Sequence, residues 1–184
     1  MSENPTAIVV MGVSGSGKST IGRRLADALG YAFLEGDDMH PPANIARMSA
    51  GVPLDDADRV AWLEGIAGWM EAQQASGRSV VVACSALKRA YRERLRQAGP
   101  AVCFVYLRVG HQELARRMRG REHFMPPELL GSQLATLEEP GVEESALTVE
   151  ANGPVDEVVA RVLRRLERQG PPGAPVGGGV QRRG

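Results

Sequence analysis

The chain reads as an α/β protein in which one parallel sheet carries helices on both faces. Three observations support this. Short apolar, β-branched runs alternate with helical repeats from Ala7 to Leu166. The first run leads straight into a glycine-rich loop and then a helix. The 184 residues are enough for one domain with a full core.

Ala7-Ile8-Val9-Val10-Met11 is the first strand, apolar at every position as a strand covered on both faces must be. Gly12-Val13-Ser14-Gly15-Ser16-Gly17-Lys18-Ser19 follows, the G-x-x-x-x-G-K-[ST] pattern of a phosphate-binding loop. Its glycines let the backbone approach a polyphosphate closely, so that N–H groups converge on the oxygens at a helix N-terminus. Lys18 supplies a cation for the β and γ phosphates, and the Ser19 hydroxyl suits Mg²⁺. A plain Gly/Ser turn between strand and helix is the competing reading. Ile21, Leu25, Ala28 and Leu29 recur at helical spacing, and Gly30 stops the helix.

Tyr31 to Leu34 is a second short strand, and Glu35-Gly36-Asp37-Asp38 forms a carboxylate cluster at its end. Ligands of open parallel sheets bind outside the C-terminal strand ends, so these acids face the crevice of the phosphate loop. If the segment stays extended, Glu35 and Asp37 share one face and Asp38 is a helix cap. A solvated acidic turn is the alternative. Pro41-Pro42 opens a helix, Gly51-Val52-Pro53 breaks it, and Asp55-Asp56 caps the next. In that helix Trp62, Ile66, Trp69 and Met70 mark the core face. The two helices exceed what a crossover needs and are placed to cover a second substrate.

Ser79 to Cys84 is the third strand. It ends in Ser85, where many nucleotide-binding loops are complemented by a Mg²⁺-binding Asp. The metal role therefore falls back on Glu35 and Asp37. A basic helix is expected from Ser85, with Lys88 and Arg92 one turn apart and pointing into the crevice; a solvated face is the ordinary meaning of such a charge run. Ala101 to Leu107 is the fourth strand. The next helix ends in Arg116, Arg117, Arg119 and Arg121, and Gly120 and Pro126-Pro127 bracket a short lid. These arginines also suit a helix C-terminus. A helix from about Glu128 to Leu137, a strand at Ala146–Val149 and a helix from Pro154 complete a domain over residues 1–169. The Pro/Gly-rich residues 170–184 cannot build a core and are expected to be disordered.

Acidic and basic residues balance at 22 each, so no bulk field recruits nucleic acid or an anionic membrane. No apolar run spans a bilayer, and the N-terminus lacks a signal-peptide pattern, so a cytoplasmic protein is expected. Cys84 and Cys103 lie in apolar runs and are expected to be free and buried.

Several motifs together resemble the small P-loop gluconate kinases, within the shikimate-kinase and nucleotide-monophosphate-kinase group. They are Met11 to Ser19 (M-G-V-S-G-S-G-K-S), Phe33-Leu34-Glu35-Gly36-Asp37, and the run His40-Pro41, Asn44, Met48, Gly51-Val52-Pro53-Leu54, Asp58-Arg59 and Trp62-Leu63. Cys84-Ser85-Ala86-Leu87-Lys88 with Tyr91-Arg92, and His123-Phe124-Met125 with Gln133, Leu137-Glu138 and Pro140, extend the match to nearly the whole globular part. Arg47 stands where the family usually has Lys, and the Gly that often precedes His-Phe is missing.

The resemblance implies a five-stranded sheet of order 2-3-1-4-5 with a short lid. It also implies ATP-dependent phosphorylation of D-gluconate at its 6-hydroxyl, with Mg²⁺, by a homodimer. Gly12, Val13, Ser14, Gly15, Ser16, Gly17, Lys18, Ser19, Thr20 and Arg117 would hold ATP, with Arg117 stacked on adenine. Ser19, Glu35 and Asp37 would serve the metal. Lys18, Asp37 and Arg121 would be catalytic, Asp37 accepting the hydroxyl proton. Asp37, His40, Arg47, Arg59, Lys88, Arg92 and Gln133 would bind the sugar acid. A kinase for another small hydroxylated acid such as shikimate, or for a nucleoside monophosphate, is the nearer rival; a nucleotide switch is the other, but the guanine-reading N-K-x-D is absent.

Overall fold

The computed structural model describes residues 5–119 and 128–170. Five strands, β1 (Ala7–Met11), β2 (Ala32–Glu35), β3 (Val80–Ala83), β4 (Val102–Arg108) and β5 (Leu147–Glu150), form one parallel sheet in the order β2-β3-β1-β4-β5. Seven helices accompany it among the described residues: α1 (Lys18–Leu29), α2 (Pro42–Ser49), α3 (Asp56–Ala75), α4 (Arg89–Arg96), α5 (His111–Arg119), α6 (Glu128–Thr136) and α7 (Val155–Gln169).

The central strand shows why its run is apolar throughout. Successive side chains of β1 alternate faces. Ala7, Val9 and Met11 join Trp62, Ile66 and Met70 of α3 and Leu95 of α4 in one core. Ile8 and Val10 join Ile21 and Leu25 of α1 and Val158 and Val162 of α7 in the other. Full burial of a Leu- or Ile-sized side chain contributes roughly 1.5–3 kcal/mol, so both faces hold the sheet.

Local boundaries have local causes. α1 ends at Gly30, whose left-handed backbone (φ 69°) sends its N–H back to Ala26 and Asp27. Tyr31 N still donates to Ala26 O, so β2 starts one residue later than expected. α3 opens with a reciprocal cap, Asp58 N to Asp55 Oδ1 at 2.8 Å and Asp55 N to Asp58 Oδ2 at 2.9 Å. Trp62, Ile66 and Met70 are buried and Trp69 half-buried. α4 starts at Arg89 rather than Ser85. After β3 the chain stays irregular, because Cys84 N bonds Val10 O and Gly12 N bonds Ser85 O, tying this stretch to the end of β1.

Cys84 and Cys103 are free and buried, on opposite sides of β1. Burial pushes their thiols up, to about 12 and about 11. Among the described residues no helix is long and apolar enough to cross a membrane. The expected lid with Arg121 and His123-Phe124-Met125, and the tail from Pro171, lie outside the described residues.

Candidate active site

The phosphate loop joins the C-terminal end of β1 to the N-terminus of α1. Gly12 has φ 148°, and a Cβ there would come within 2.8 Å of Ser16 Oγ and 3.1 Å of Leu107 O, so the tight turn demands glycine. Gly17 (φ 95°) leads straight into α1, leaving the N–H groups of its first turn to bind an anion. Ser16 Oγ is buried without a protein partner. Lys18 Nζ donates to Val13 O at 3.0 Å, folding the cation over the loop. Burial lowers its pKa, and the carboxylates of Asp37 and Glu35 oppose that shift.

The acidic cluster is brought to the loop by a different backbone from the expected one. Gly36–Met39 is a 3₁₀ turn, not an extended segment. The turn is packed hard on β3: a Cβ on Gly36 would meet Ala83 O at 2.4 Å, and Gly36 O accepts Trp62 Nε1–H at 2.7 Å. Glu35 and Asp37 both act electrostatically on Lys18, which strict alternation would not have guaranteed once the strand had ended. The Ser19 hydroxyl bonds the Glu35 carboxylate; burial raises the pKa of Glu35, and that bond and Lys18 oppose the rise. Asp38 is exposed and does not cap α2, whose N-cap is Pro41.

His40, Trp62 and Arg59 line the same cleft as Lys18 and Asp37. The His40 ring stacks on Trp62 at 4.1 Å and 15°. Its Nε2 lies 3.9 Å from Asp37 Oδ1, and its Nδ1 3.4 Å from the Asn44 amide. Burial is the main reason the imidazole pKa falls to about 4; Asp37 pulls it up and Arg59 down. Arg59 gives Nη2 to Leu54 O at 3.1 Å and keeps a buried Nε without a protein partner. Another wall is α6, where Gln133 Oε1 accepts Ser14 N–H at 2.6 Å beside Ser132.

Three of the seven expected sugar-acid contacts stand apart from this cleft. Arg47 is paired with Asp58 at 3.3 Å on the surface. Lys88 lies before α4 with extended backbone, and its ammonium spans both oxygens of Asp56 at 2.8 and 3.0 Å. Arg92 is wholly buried and bonded to Glu144. Lys88 caps α4 one turn before Arg92, whose N–H donates to Lys88 O at 3.2 Å, but each side chain is taken by a carboxylate from elsewhere in the chain. Residues that sequence reasoning had left to the core or to turns also line the cleft: Trp62, Leu54, Ser85 and Ser132. Adjacency to Gln133 was the available signal for Ser132.

A second cleft of about 390 Å³ runs along the outer side of the loop, between Gly15, Thr20 and Arg117 and the Gly153-Pro154 turn before α7. Arg117 gives Nη1 to Gly15 O at 3.2 Å, Nη2 to Ala151 O at 2.8 Å and Nε to Glu113 at 2.7 Å. Its guanidinium is thereby fixed as a wall of the cleft at the loop's outer edge, apart from Lys18.

A phosphate loop at the middle strand of a 2-3-1-4-5 parallel sheet, with one cleft on each side of it, defines the P-loop kinases. Residues 8–140 match the family described as an AAA domain. The chain is 46% identical to the gluconokinase of Gluconobacter oxydans (strain 621H) over 92% of this chain and 96% of that protein. It is 39% identical to the thermoresistant gluconokinase of Escherichia coli (strain K12), over 87% and 93% respectively. The gluconokinase structure from Sinorhizobium meliloti 1021 superposes with a TM-score of 0.76 at 46% identity, covering 91% of this chain and 98% of that one. A shikimate kinase from Aquifex aeolicus, at 18% identity and TM-score 0.61, shares the fold alone. The chain belongs to the gluconokinase family.

Proposed function

We propose that the protein transfers the γ-phosphoryl group of ATP to the 6-hydroxyl of D-gluconate, giving 6-phospho-D-gluconate and ADP. The observation that carries this reading is that Lys18 and Asp37 line one cleft together with the His40–Trp62 stack and Arg59. Phosphoryl transfer needs positioning and charge neutralisation more than covalent chemistry. The loop N–H groups and Lys18 hold the β and γ oxygens. Asp37 orients the acceptor hydroxyl and takes its proton as the O–P bond forms. Arg59 offers its buried Nε to the acceptor's polar groups. His40, held neutral, serves as a hydrogen-bonding group rather than a charge. ATP extends its base into the second cleft beside Arg117.

The donors also fit Mg²⁺. Among the described residues no group of three or more His, Cys, Asp or Glu could hold a metal alone. The Ser19 hydroxyl against Glu35, with Asp37 close enough to act on that carboxylate, matches an ion that takes most of its ligands from phosphate and water. When bound, Mg²⁺ neutralises charge developing on the phosphate oxygens.

The test is ADP release in a coupled assay over D-gluconate, glucose, shikimate and AMP. Gluconate is expected to be turned over at least about tenfold faster than the others, since loss of matched polar contacts costs that much or more. Equal turnover of glucose, which lacks the carboxylate, would overturn the assignment.

A further inference from the structure

Arg92 is wholly buried yet touches neither cleft. Its guanidinium makes a two-pronged pair with Glu144, Nε to Oε2 at 2.6 Å and Nη2 to Oε1 at 2.8 Å. The remaining nitrogen, Nη1, donates to Ala86 O at 2.9 Å and Leu87 O at 3.2 Å. Those carbonyls belong to the stretch between β3 and α4. Ala86 there has φ 44°, a left-handed conformation that alanine adopts only when its surroundings enforce it.

What this stretch touches gives the contact its meaning. Ser85, one residue before the strained alanine, lines the cleft, and its carbonyl accepts Gly12 N–H, the first amide of the phosphate loop. Leu87 O also accepts Glu138 N–H at 2.8 Å, anchoring the segment that follows α6. Leu87 packs with Val13 of the loop and with Leu134 of α6. The phosphate loop, and through Glu138 and Leu134 the helix bearing Ser132 and Gln133, therefore meet at the Ser85–Leu87 stretch that one buried guanidinium holds.

We infer that Arg92, locked by Glu144, is a positioning residue for phosphoryl transfer: it holds the Ser85–Leu87 stretch in its strained conformation and so sets the phosphate loop and α6 against each other. This rests on the kinase reading above. Arg96 supports the lock, donating Nη2 to Glu144 O at 2.7 Å.

The pair is tested by two variants. Removing one member alone leaves a buried charge, whereas replacing both with apolar residues of similar size is tolerated in other proteins. Arg92→Met/Glu144→Leu removes both charges, and Glu144→Gln keeps the shape with a weaker partner. Both are expected to retain the native circular dichroism spectrum and to bind a non-hydrolysable ATP analogue within about threefold of wild type, while kcat with gluconate falls at least about tenfold. Hydrogen exchange of the Gly12 and Glu138 amides should speed up in the double variant. Unchanged kcat in either folded variant would overturn the inference. So would a raised gluconate KM with kcat intact, which would make Arg92 a ligand of the acid. Unfolding of Glu144→Gln would overturn it too, reducing the pair to a fold determinant. Should wild type fail to use gluconate, the function reading fails on its own, and unchanged exchange at Gly12 and Glu138 would still refute the positioning role.

Discussion

Gln133 Oε1 accepts the Ser14 N–H at 2.6 Å, joining α6 to the middle of the phosphate loop. This neutral carbonyl lies beside the amides that a γ phosphate must reach. A carboxylate in its place would repel the nucleotide. Gln133→Glu is expected to weaken binding of an ATP analogue by about tenfold or more, through like charges in a partly buried site. Isothermal titration calorimetry measures this directly, and wild-type affinity would separate Gln133 from the nucleotide.

Lys18 is the neutralising cation. Lys18→Ala should lower kcat by about two or more powers of ten, since a phosphate-clamping donor contributes several kcal/mol to the transition state. The fold should persist, because Lys18 Nζ donates to a loop carbonyl, Val13 O, and otherwise serves a bound anion. Steady-state kinetics with circular dichroism check both parts.

The three acids of the β2 end should separate kinetically. Asp37→Asn should keep ATP binding but lose about two to four powers of ten in kcat, as expected for a general base. Glu35→Gln, which loses the carboxylate bonded by Ser19, should recover part of its activity at high Mg²⁺. Asp38→Asn should be mild, since Asp37 lines the cleft and Asp38 does not. A crippled Asp38→Asn beside a normal Asp37→Asn would reverse the assignment.

The Arg92–Glu144 pair also predicts acid behaviour. Hydrogen bonds from Arg92 hold the Glu144 carboxyl at about 2, below its ordinary 4.5. With the folded pKa depressed, the unfolded chain binds the proton more readily, so stability is complete above about pH 4.5 and is lost as pH falls toward about 2. Urea unfolding of wild type and Glu144→Gln across that window should show the wild-type advantage shrinking as pH falls. A constant difference would contradict the linkage.

The sheet was legible because buried parallel strands need uninterrupted apolar runs, and Ala7–Met11 and Val80–Ala83 are such runs. The phosphate loop was legible because its chemistry is local: Gly12, Gly17, Lys18 and Ser19 act within one turn of chain. The cations were not. Arg92 and Lys88 carry the residue type a sugar acid needs, but each is taken by a carboxylate distant in sequence, Glu144 and Asp56. No local spacing announces such pairs. The 3₁₀ turn at Gly36–Met39 was missed for a related reason. It is fixed by the Ala83 carbonyl and the Trp62 indole, both contributed by other elements.

The central claim is that the Lys18–Asp37 cleft directs the γ phosphate of ATP onto one hydroxyl of gluconate. The most direct measurement is phosphorus–proton correlation NMR of the product formed from ATP, Mg²⁺ and D-gluconate, with Asp37→Asn as control. The account predicts a phosphate ester coupled to the C6 methylene protons, formed together with ADP and nearly absent in the variant. ATP hydrolysed to free phosphate at the same rate with or without gluconate, or an ester at another carbon, would contradict it.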